Sequence, residues 1–176
     1  MDAIKQLRNT GVRQLLLQSL NFIMVLSTAF MLWKGMALYS NCESPIVVVL
    51  SGSMEPAFQR GDILFLSNRT TPVEIGEITV FKNKGSVIPI VHRALRIHTD
   101  AKTGEQLIRT KGDNNNVDDR VMYPRGEQWI KQSDVVGRVQ GYVPYLGMAT
   151  ILMNDYPKLK YVLIGGLGVM ALLQRE

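Results

Sequence analysis

The longest stretch without a charged residue lies near the N-terminus, where apolar positions predominate from Gln14 to Trp33. A helix over this stretch would be about 30 Å long, which matches the hydrocarbon core of a membrane. Three basic residues precede it: Lys5, Arg8 and Arg13. By the positive-inside rule, residues 1–13 are cytoplasmic and the chain beyond the helix lies across the membrane. The pattern predicts a transmembrane signal anchor over residues 14–39.

A cleaved signal peptide is the alternative to an anchor. Such peptides have a shorter apolar region and end at small residues, where the peptidase cuts. Here the apolar region is long, and the residues beyond it are charged or bulky: Lys34, Met36, Leu38 and Tyr39. The uncleaved anchor is therefore the favoured interpretation.

A second apolar segment runs from Tyr161 to Leu173 near the C-terminus. As a helix it would be only about 20 Å long, which is too short to span an ordinary bilayer. It could be a core helix, an interfacial segment or a short dip into the membrane. Lys158 and Lys160, just before it, suit the level of lipid headgroups and favour the last two. Residues 158–176 are assigned to this short hydrophobic helix.

Short β-prone runs separated by turn residues fill the chain between the two apolar segments. The first is a continuous apolar strand from Pro45 to Leu50, which has the composition of a buried strand. Four further ranges contain strands: Gly61–Leu66, Gly76–Phe81, Val87–His98 and Leu107–Lys111. A last strand lies within Asp134–Pro144. The pattern predicts a mainly β fold, with one compact domain at residues 40–157 between an N-terminal transmembrane helix and a short C-terminal hydrophobic helix.

Composition excludes several classes of function. Hydrophobic residues make up 46% of the chain and charged residues 20%, as in ordinary folded proteins. The net charge of +5 permits an anionic partner, but no basic run is interleaved with aromatic residues, so nucleic-acid binding is not indicated. Cys42 is the only cysteine, which excludes an internal disulfide and a cysteine-based zinc site. The sequence predicts no metal and no cofactor.

Two sequence features could support hydrolysis, which needs a nucleophile, a base and donors for the oxyanion. The first apolar strand ends in Ser51, Gly52 and Ser53, and the glycine lets a substrate approach Ser53 closely. Ser-Gly-Ser also occurs in ordinary turns. Of the two histidines, His92 lies in an apolar run and is a stronger candidate base than His98, which is placed at a polar loop edge.

An orienting acid could come from the polar loop Gly112–Asp119, which contains three aspartates: Asp113, Asp118 and Asp119. Aspartates in such loops often cap turns instead. Spacing alone does not choose among the three.

Several motifs occur in a fixed order: SGSMEPAF, RGDILFL, GEITVF, IPIVHR and TKGDNN. Together they resemble the type I signal peptidases, and specifically the catalytic subunit of the endoplasmic-reticulum signal peptidase complex. The resemblance extends over nearly the whole chain. Bacterial members of the family use a lysine as general base where this chain has His92, which is typical of eukaryotic and archaeal members.

The resemblance implies a role for each candidate residue. Ser53 resembles the nucleophile and His92 the general base. Asp119, six residues after the first aspartate of the loop, resembles the acid that orients the base, with Asp118 as its rival. Asp113 resembles a second, structural acid.

The resemblance also implies a reaction, a substrate and a location. The activity is that of a membrane-bound serine endopeptidase that removes N-terminal signal peptides, with Ser51 as a side-chain oxyanion donor. The substrate lies as an extended strand, with small residues at the first and third positions before the cut. The protein is a single-pass type II protein of the endoplasmic reticulum membrane with a lumenal catalytic domain. Its partners are other membrane subunits, signal peptides of preproteins, a nearby translocon and the lipid bilayer.

Two other functions compete with this one. A non-catalytic membrane-anchored β module could act as a scaffold in a translocation complex, and then Ser53, His92 and the acidic loop would not converge. A related soluble protease with a lysine base would need neither the anchor nor His92.

The sequence Asn68-Arg69-Thr70 is an N-glycosylation sequon in a loop-like position. A glycan on Asn68 would support the lumenal topology.

Overall fold

The computed structural model of the protein describes residues 11–68, 71–83, 88–101, 103–124 and 126–173, except the side chains of residues 167–169 and 171–173. The chain divides into two compact units, Met1–Tyr39 and Ser40–Glu176.

Helix α1 runs from Val12 to Ser40 over 29 residues, and all but its last residue belongs to the first unit. Its most apolar window has a mean hydropathy of 1.9, and none of that window is buried within the protein. Among the described residues it is the one helix that is long and apolar enough to cross a membrane, by length and composition. The predicted N-terminal apolar helix is confirmed.

The second unit is built on one antiparallel sheet. Over the described parts of the chain the sheet has seven strands: β1 (Ile46–Val48), β2 (Ile63–Ser67), β3 (Ile78–Phe81), β4 (Ile90–Thr99), β5 (Gln106–Lys111), β6 (Ile130–Lys131) and β7 (Val135–Val143). Their order is β1-β2-β7-β3-β4-β5-β6. The prediction of a mainly β fold is confirmed.

Strand β4 pairs with β3 on one side and with β5 on the other. His92 lies opposite Thr79 of β3, and Ala94 lies opposite Thr110 of β5. Residues that face each other across an antiparallel pair share one side of the sheet, and alternate residues of a strand share it too. His92, Ala94 and Thr110 therefore point to the same buried face.

Two apolar clusters form the core. One contains Cys42, Val49, Met54, Phe58, Leu64, Leu66 and Val80. The other contains Val73, Phe81, Ala94, Ile108, Tyr123, Ile130 and Val135. Burial of each large side chain contributes about 1.5–3 kcal/mol to folding. The first cluster fixes the segment that follows β1, and the second fixes β4 and β5.

Two C-terminal helices follow the sheet: α2 (Met148–Asp155) and α3 (Pro157–Leu173). Helix α2 was not predicted from the sequence. Helix α3 begins four residues before the predicted apolar segment, with proline at its first position, where no hydrogen bond from the backbone nitrogen is needed. Every described side chain of α3 is exposed, so the core-helix alternative is wrong for them.

Helix α2 is attached to the strands by specific contacts. Gly147, just before it, donates its N–H to the carbonyl of Gly61 at 2.8 Å. A Cβ at Gly147 would lie 2.6 Å from Val48 Cγ1, so the approach to β1 requires glycine. Ile151 is buried, and Asp155 pairs with Arg60 at 3.0 Å.

Two local expectations, on strand β1 and on His98, differ from the structure. Strand β1 is short and half-buried at the edge of the sheet, whereas the sequence pattern resembled a fully buried strand. His98 lies within β4, opposite Leu107, and not at a loop edge. Asn68 is held by its N–H to the carbonyl of Ser40 at 2.8 Å, and the other two sequon residues lie outside the described chain.

Candidate active site

Ser53 lies in a turn that is fixed from two directions. The next side chain, Met54, is 1% exposed and anchors the turn in the first apolar cluster. From the other side, the N–H of Asn114 donates to the carbonyl of Ser53 at 2.9 Å, and its side-chain amide donates to the carbonyl of Gly52 at 3.2 Å. The backbone around Ser53 is thus held by the polar loop that follows β5.

His92 connects Ser53 to Asp119. Its Nε2 atom lies 3.1 Å from Ser53 Oγ, and its Nδ1 atom lies 2.6 Å from Asp119 Oδ2. His92 is 2% exposed and Asp119 1% exposed, so both are shielded from water. Because an ionised carboxylate can only accept, Nδ1 donates to Asp119, which leaves Nε2 free to accept a proton from Ser53. The arrangement can draw a proton from a hydroxyl as that hydroxyl attacks a carbonyl.

The two neighbouring aspartates point in different directions. A 3₁₀ turn begins at Asp119 and directs that carboxylate inward to His92. Asp118 instead accepts from Arg120 Nε at 2.8 Å near the surface, and this hydrogen bond lowers the pKa of Asp118. Of the two candidates for the orienting acid, Asp119 is the one that contacts the histidine.

Within the described part of the chain, Asp113 forms no hydrogen bond with Ser53 or His92. Its two carboxylate oxygens accept from Arg93 Nε at 2.9 Å and from an Arg93 terminal nitrogen at 2.6 Å. Arg93 also donates to the carbonyl of Gly76 at 2.9 Å. The hydrogen bond from Arg93 lowers the pKa of Asp113. Asp113 therefore ties the polar loop to β4, one residue after His92.

We expect Asp113→Asn to lower stability in a pH-dependent way. Because Arg93 lowers the pKa of Asp113 below its ordinary 3.8, the ion pair stabilises the folded state fully above that value. The contribution is lost as the pH falls below 3.8 through the lowered folded-state pKa. At pH 7 the variant should lose about 1 kcal/mol of unfolding free energy, given a partly exposed pair. Thermal unfolding at pH 7 and near pH 3 measures the difference, and a deficit of equal size at both would contradict this account.

Gly112 lies against both the serine turn and the imidazole of His92. A Cβ there would lie 2.6 Å from the carbonyl oxygen of Ser53 and 2.9 Å from His92 Nε2. Real side-chain atoms do not approach so closely, so any other residue would push the serine turn or the imidazole away. Glycine at this position permits the hydrogen bond between Ser53 and His92.

An open cleft of about 800 Å³ lies beside Ser53. It is lined by residues 46–51 of β1 and its continuation, by residues 88–92 at the start of β4, and by Thr150 and Asn154 of α2. Strand β1 pairs with β2 on one side only and ends the sheet. The cleft is therefore bounded by an edge strand, which is a place where an extended peptide can add to a sheet.

Ser51 lies at the same end of the cleft. Its Oγ is 3.3 Å from Ser53 Oγ, so the two hydroxyls are neighbours, as their spacing predicted. The hydroxyl of Ser51 is exposed and can donate to a group that approaches Ser53.

Two residues of the site were missed from the sequence. Thr110 Oγ1 donates to Asp119 Oδ2 at 2.6 Å, and Tyr123 OH lies 3.0 Å from Thr110 Oγ1. A threonine at an inward position of β5, two residues after buried Ile108, was the available signal. In the described parts of the chain, no group of three or more His, Cys, Asp and Glu side chains could hold a metal ion.

Comparison with known proteins places the chain among close relatives. The family model "Signal peptidase C-terminal short helix" matches residues 148–173, which comprise α2 and α3. The signal peptidase complex catalytic subunit SEC11C of Rattus norvegicus is 54% identical over 177 residues, which cover 100% of this chain and 92% of that protein. The catalytic subunit SEC11 of Schizophyllum commune is 50% identical over 190 residues, covering 99% and 98%.

The matches extend through the anchor helix, the sheet and the C-terminal helices. At these identities over nearly the full length of the chain, membership of one family is not in doubt. Helix α1 and these relatives support a membrane anchor. The chain belongs to the family of signal peptidase complex catalytic subunits.

Proposed function

We propose that the chain is a membrane-bound serine endopeptidase that removes N-terminal signal peptides from secretory and membrane preproteins as they enter the lumen of the endoplasmic reticulum. The observation that carries the proposal is the series of hydrogen bonds from Ser53 Oγ through His92 to Asp119 at the end of an open cleft. The names of the relatives, catalytic subunits of a signal peptidase complex, supply the substrate class.

The residues divide the chemistry among them. Ser53 Oγ attacks the scissile carbonyl while His92 Nε2 takes its proton, and Asp119 stabilises the imidazolium that forms. His92 then gives the proton to the departing amine, which becomes the N-terminus of the mature protein. Water attacks the acyl-enzyme with His92 again as base, and this step releases the signal peptide and restores Ser53.

The developing oxyanion needs donors. We assign this role to the backbone N–H of Ser53 and the hydroxyl of Ser51, which lies 3.3 Å from the hydroxyl of Ser53 at one end of the cleft. Preorganised donors of this kind contribute about 10²- to 10³-fold each to acyl transfer.

The substrate binds as an extended strand beside β1. Such a strand presents alternate side chains to the same wall, so the first and third residues before the cut face the cleft. Branched side chains line that wall, among them Val47, Val49 and Val91. These leave room for small residues at the two positions.

The same scheme assigns the membrane topology and the domains. Residues 1–13 are cytoplasmic, residues 14–39 cross the membrane once, and residues 40–157 form a lumenal protease domain. Residues 158–176 form the short hydrophobic C-terminal segment. The partners are other membrane subunits of the complex, preprotein signal peptides, a nearby translocon and the bilayer. An N-linked glycan on Asn68 would support this orientation.

The scaffold alternative is not favoured. It predicts that the serine, the histidine and the acidic loop do not meet, whereas Ser53, His92 and Asp119 are joined by hydrogen bonds. The alternative of a soluble protease with a lysine base has no support in the site, where the imidazole of His92 contacts the serine.

Restoration of processing tests the proposed function. Membranes lacking their own signal peptidase catalytic subunit should leave a model secretory preprotein uncut. Membranes in which this chain is the only catalytic subunit should cut it once, after a small residue. Mass spectrometry of the mature N-terminus measures the position of the cut. An assembled complex that contains this chain and leaves the preprotein intact would exclude the proposed activity.

A further inference from the structure

We propose that Thr110 and Tyr123 are positioning residues for catalysis, because they hold the Asp119 carboxylate in the one orientation that serves His92. The inference rests on the proposed function, and it assigns two residues beyond the nucleophile, the base and the acid. Thr110 lies on β5, and Tyr123 follows the 3₁₀ turn that begins at Asp119.

The first observation is that one oxygen atom of Asp119 receives two strong donors. Asp119 Oδ2 lies 2.6 Å from His92 Nδ1 and 2.6 Å from Thr110 Oγ1. The side chain of Asp119 is 1% exposed, so water does not compensate for a missing donor. Burying a carboxylate costs free energy unless hydrogen bonds satisfy it, and hydrogen bonds to charged groups are the strongest. Thr110 therefore shares with His92 the task of satisfying and orienting the carboxylate.

The second observation is that the direction of each hydrogen bond is determined. A hydroxyl has one proton, and Thr110 must give its proton to Asp119, because an ionised carboxylate only accepts. The contact of 3.0 Å between the two hydroxyl oxygens is then a bond from Tyr123 to Thr110. Tyr123 OH in turn accepts from the backbone N–H of Thr110 at 2.9 Å. Thr110 is thus bound twice by Tyr123, and turning its side chain away would break both the bond to Asp119 and the bond from the Tyr123 hydroxyl.

The third observation is that Tyr123 is held rigidly and stays protonated. Its ring packs edge-on against Phe81, with 6.2 Å between ring centroids, and it is 6% exposed. Burial raises the pKa of Tyr123, and the charge of nearby Asp119 raises it further against the effect of the bonds with Thr110. The phenol therefore keeps the proton that it donates.

The consequence is a single directed series of bonds. Tyr123 donates to Thr110, Thr110 donates to Asp119, and Asp119 accepts from His92 Nδ1. This fixes the tautomer in which Nε2 can accept the proton of Ser53, 3.1 Å away. Without the threonine hydroxyl, the carboxylate would be free to rotate, and the imidazole would spend less time in the reactive orientation.

The test compares Thr110→Val with Thr110→Ser in membranes that contain the assembled complex with this chain as its only catalytic subunit. Valine keeps the shape and removes the hydroxyl, whereas serine keeps the hydroxyl. We expect Thr110→Val to lower kcat roughly tenfold to a hundredfold, the value of a hydrogen bond to a charged group. KM should stay within about twofold, because the cleft does not include Thr110. Thr110→Ser should restore kcat to within about threefold of the wild type.

Ser67→Ala is the control for the loss of a hydroxyl that lies away from the site. Ser67 is half-buried on strand β2 and outside the cleft, and its hydroxyl donates to the backbone carbonyl of Ser40 at 3.3 Å. Tyr123→Phe is the second variant, and it keeps the ring in the core while removing the donor to Thr110. We expect Ser67→Ala to keep kcat within about twofold and Tyr123→Phe to lower it about threefold to tenfold.

Each remaining outcome gives a decision. Wild-type kcat in Thr110→Val overturns the inference, and so do equal losses in Thr110→Val and Thr110→Ser, since the hydroxyl would then be irrelevant. An equal loss in Ser67→Ala overturns it as well, because the loss of any bonded hydroxyl would then have the same effect. If Thr110→Val fails to assemble, wild-type kcat in Tyr123→Phe still overturns it. Cleavage at the wild-type rate by Ser53→Ala would instead exclude the proposed function, and the inference with it.

Discussion

Signal-peptide cleavage will fall by about 10⁴-fold or more when Ser53 is replaced by alanine, because in the proposed mechanism the substitution removes the oxygen that forms the acyl bond. The backbone of the turn should be unaffected. The carbonyl of Ser53 still accepts from the N–H of Asn114, and Met54 still anchors the turn in the core. The loss should therefore appear in kcat at an unchanged abundance of the chain and of the complex.

The measurement is processing of a model preprotein by membranes that contain equal amounts of wild-type or variant chain. Ser133→Ala is the matched control, because this serine is exposed in the 3₁₀ turn Gln132–Asp134, which lies outside the cleft. It should cleave at the wild-type rate. Unchanged cleavage by Ser53→Ala would contradict the proposed mechanism and favour the hypothesis of a non-catalytic scaffold.

The second large effect is expected at Asp119. Replacement by asparagine keeps the shape, but the amide can present a donor toward His92 Nδ1 where the carboxylate accepted at 2.6 Å. The favoured tautomer would then carry its proton on Nε2, facing Ser53, and could not take the proton of the serine. In a serine protease of another family, the same change costs about 10⁴-fold in kcat, and we expect a loss of similar size here.

Asp118→Asn provides the control for that experiment. The neighbouring carboxylate bonds Arg120 near the surface, so its replacement should change kcat by less than about threefold. Steady-state cleavage by the two variants, at equal amounts of assembled complex, measures the contrast. A large loss in Asp118→Asn with little loss in Asp119→Asn would show that Asp118, and not Asp119, orients the histidine.

The sequence favoured Ser53 and His92 among the serines and histidines, whereas the residue pattern alone left Asp118 and Asp119 open and only the family resemblance favoured Asp119. Ser53 and His92 are marked by their motifs and by the apolar runs around them. Asp118 and Asp119 are adjacent in an irregular loop, where no strand or helix period fixes the direction of a side chain. In the structure, the 3₁₀ turn that begins at Asp119 directs this carboxylate toward His92.

The existence of most strands was predictable, whereas their order was not. Alternation and turn residues indicate where strands begin and end. The last strand, β7, inserts between β2 and β3, and this pairing joins segments far apart in the sequence. Helix α2 was missed because it is short and because Gly147, at its N-cap, supplies no side-chain hydrogen bond. The apolar character of β1, which indicated burial, is explained instead by its position along the cleft.

The hydrogen bonds from Asn114 to the carbonyls of Gly52 and Ser53 join two segments that are far apart in the sequence. The catalytic contacts do the same, and this matters during synthesis of the chain. Ser53 and His92 are 39 residues apart, and His92 and Asp119 are 27 apart. Contacts over such separations form only when the tertiary structure closes. A nascent copy therefore carries an ordinary hydroxyl and an ordinary imidazole. The protease therefore stays inactive until its domain has folded, and this delay needs no separate inhibitory segment.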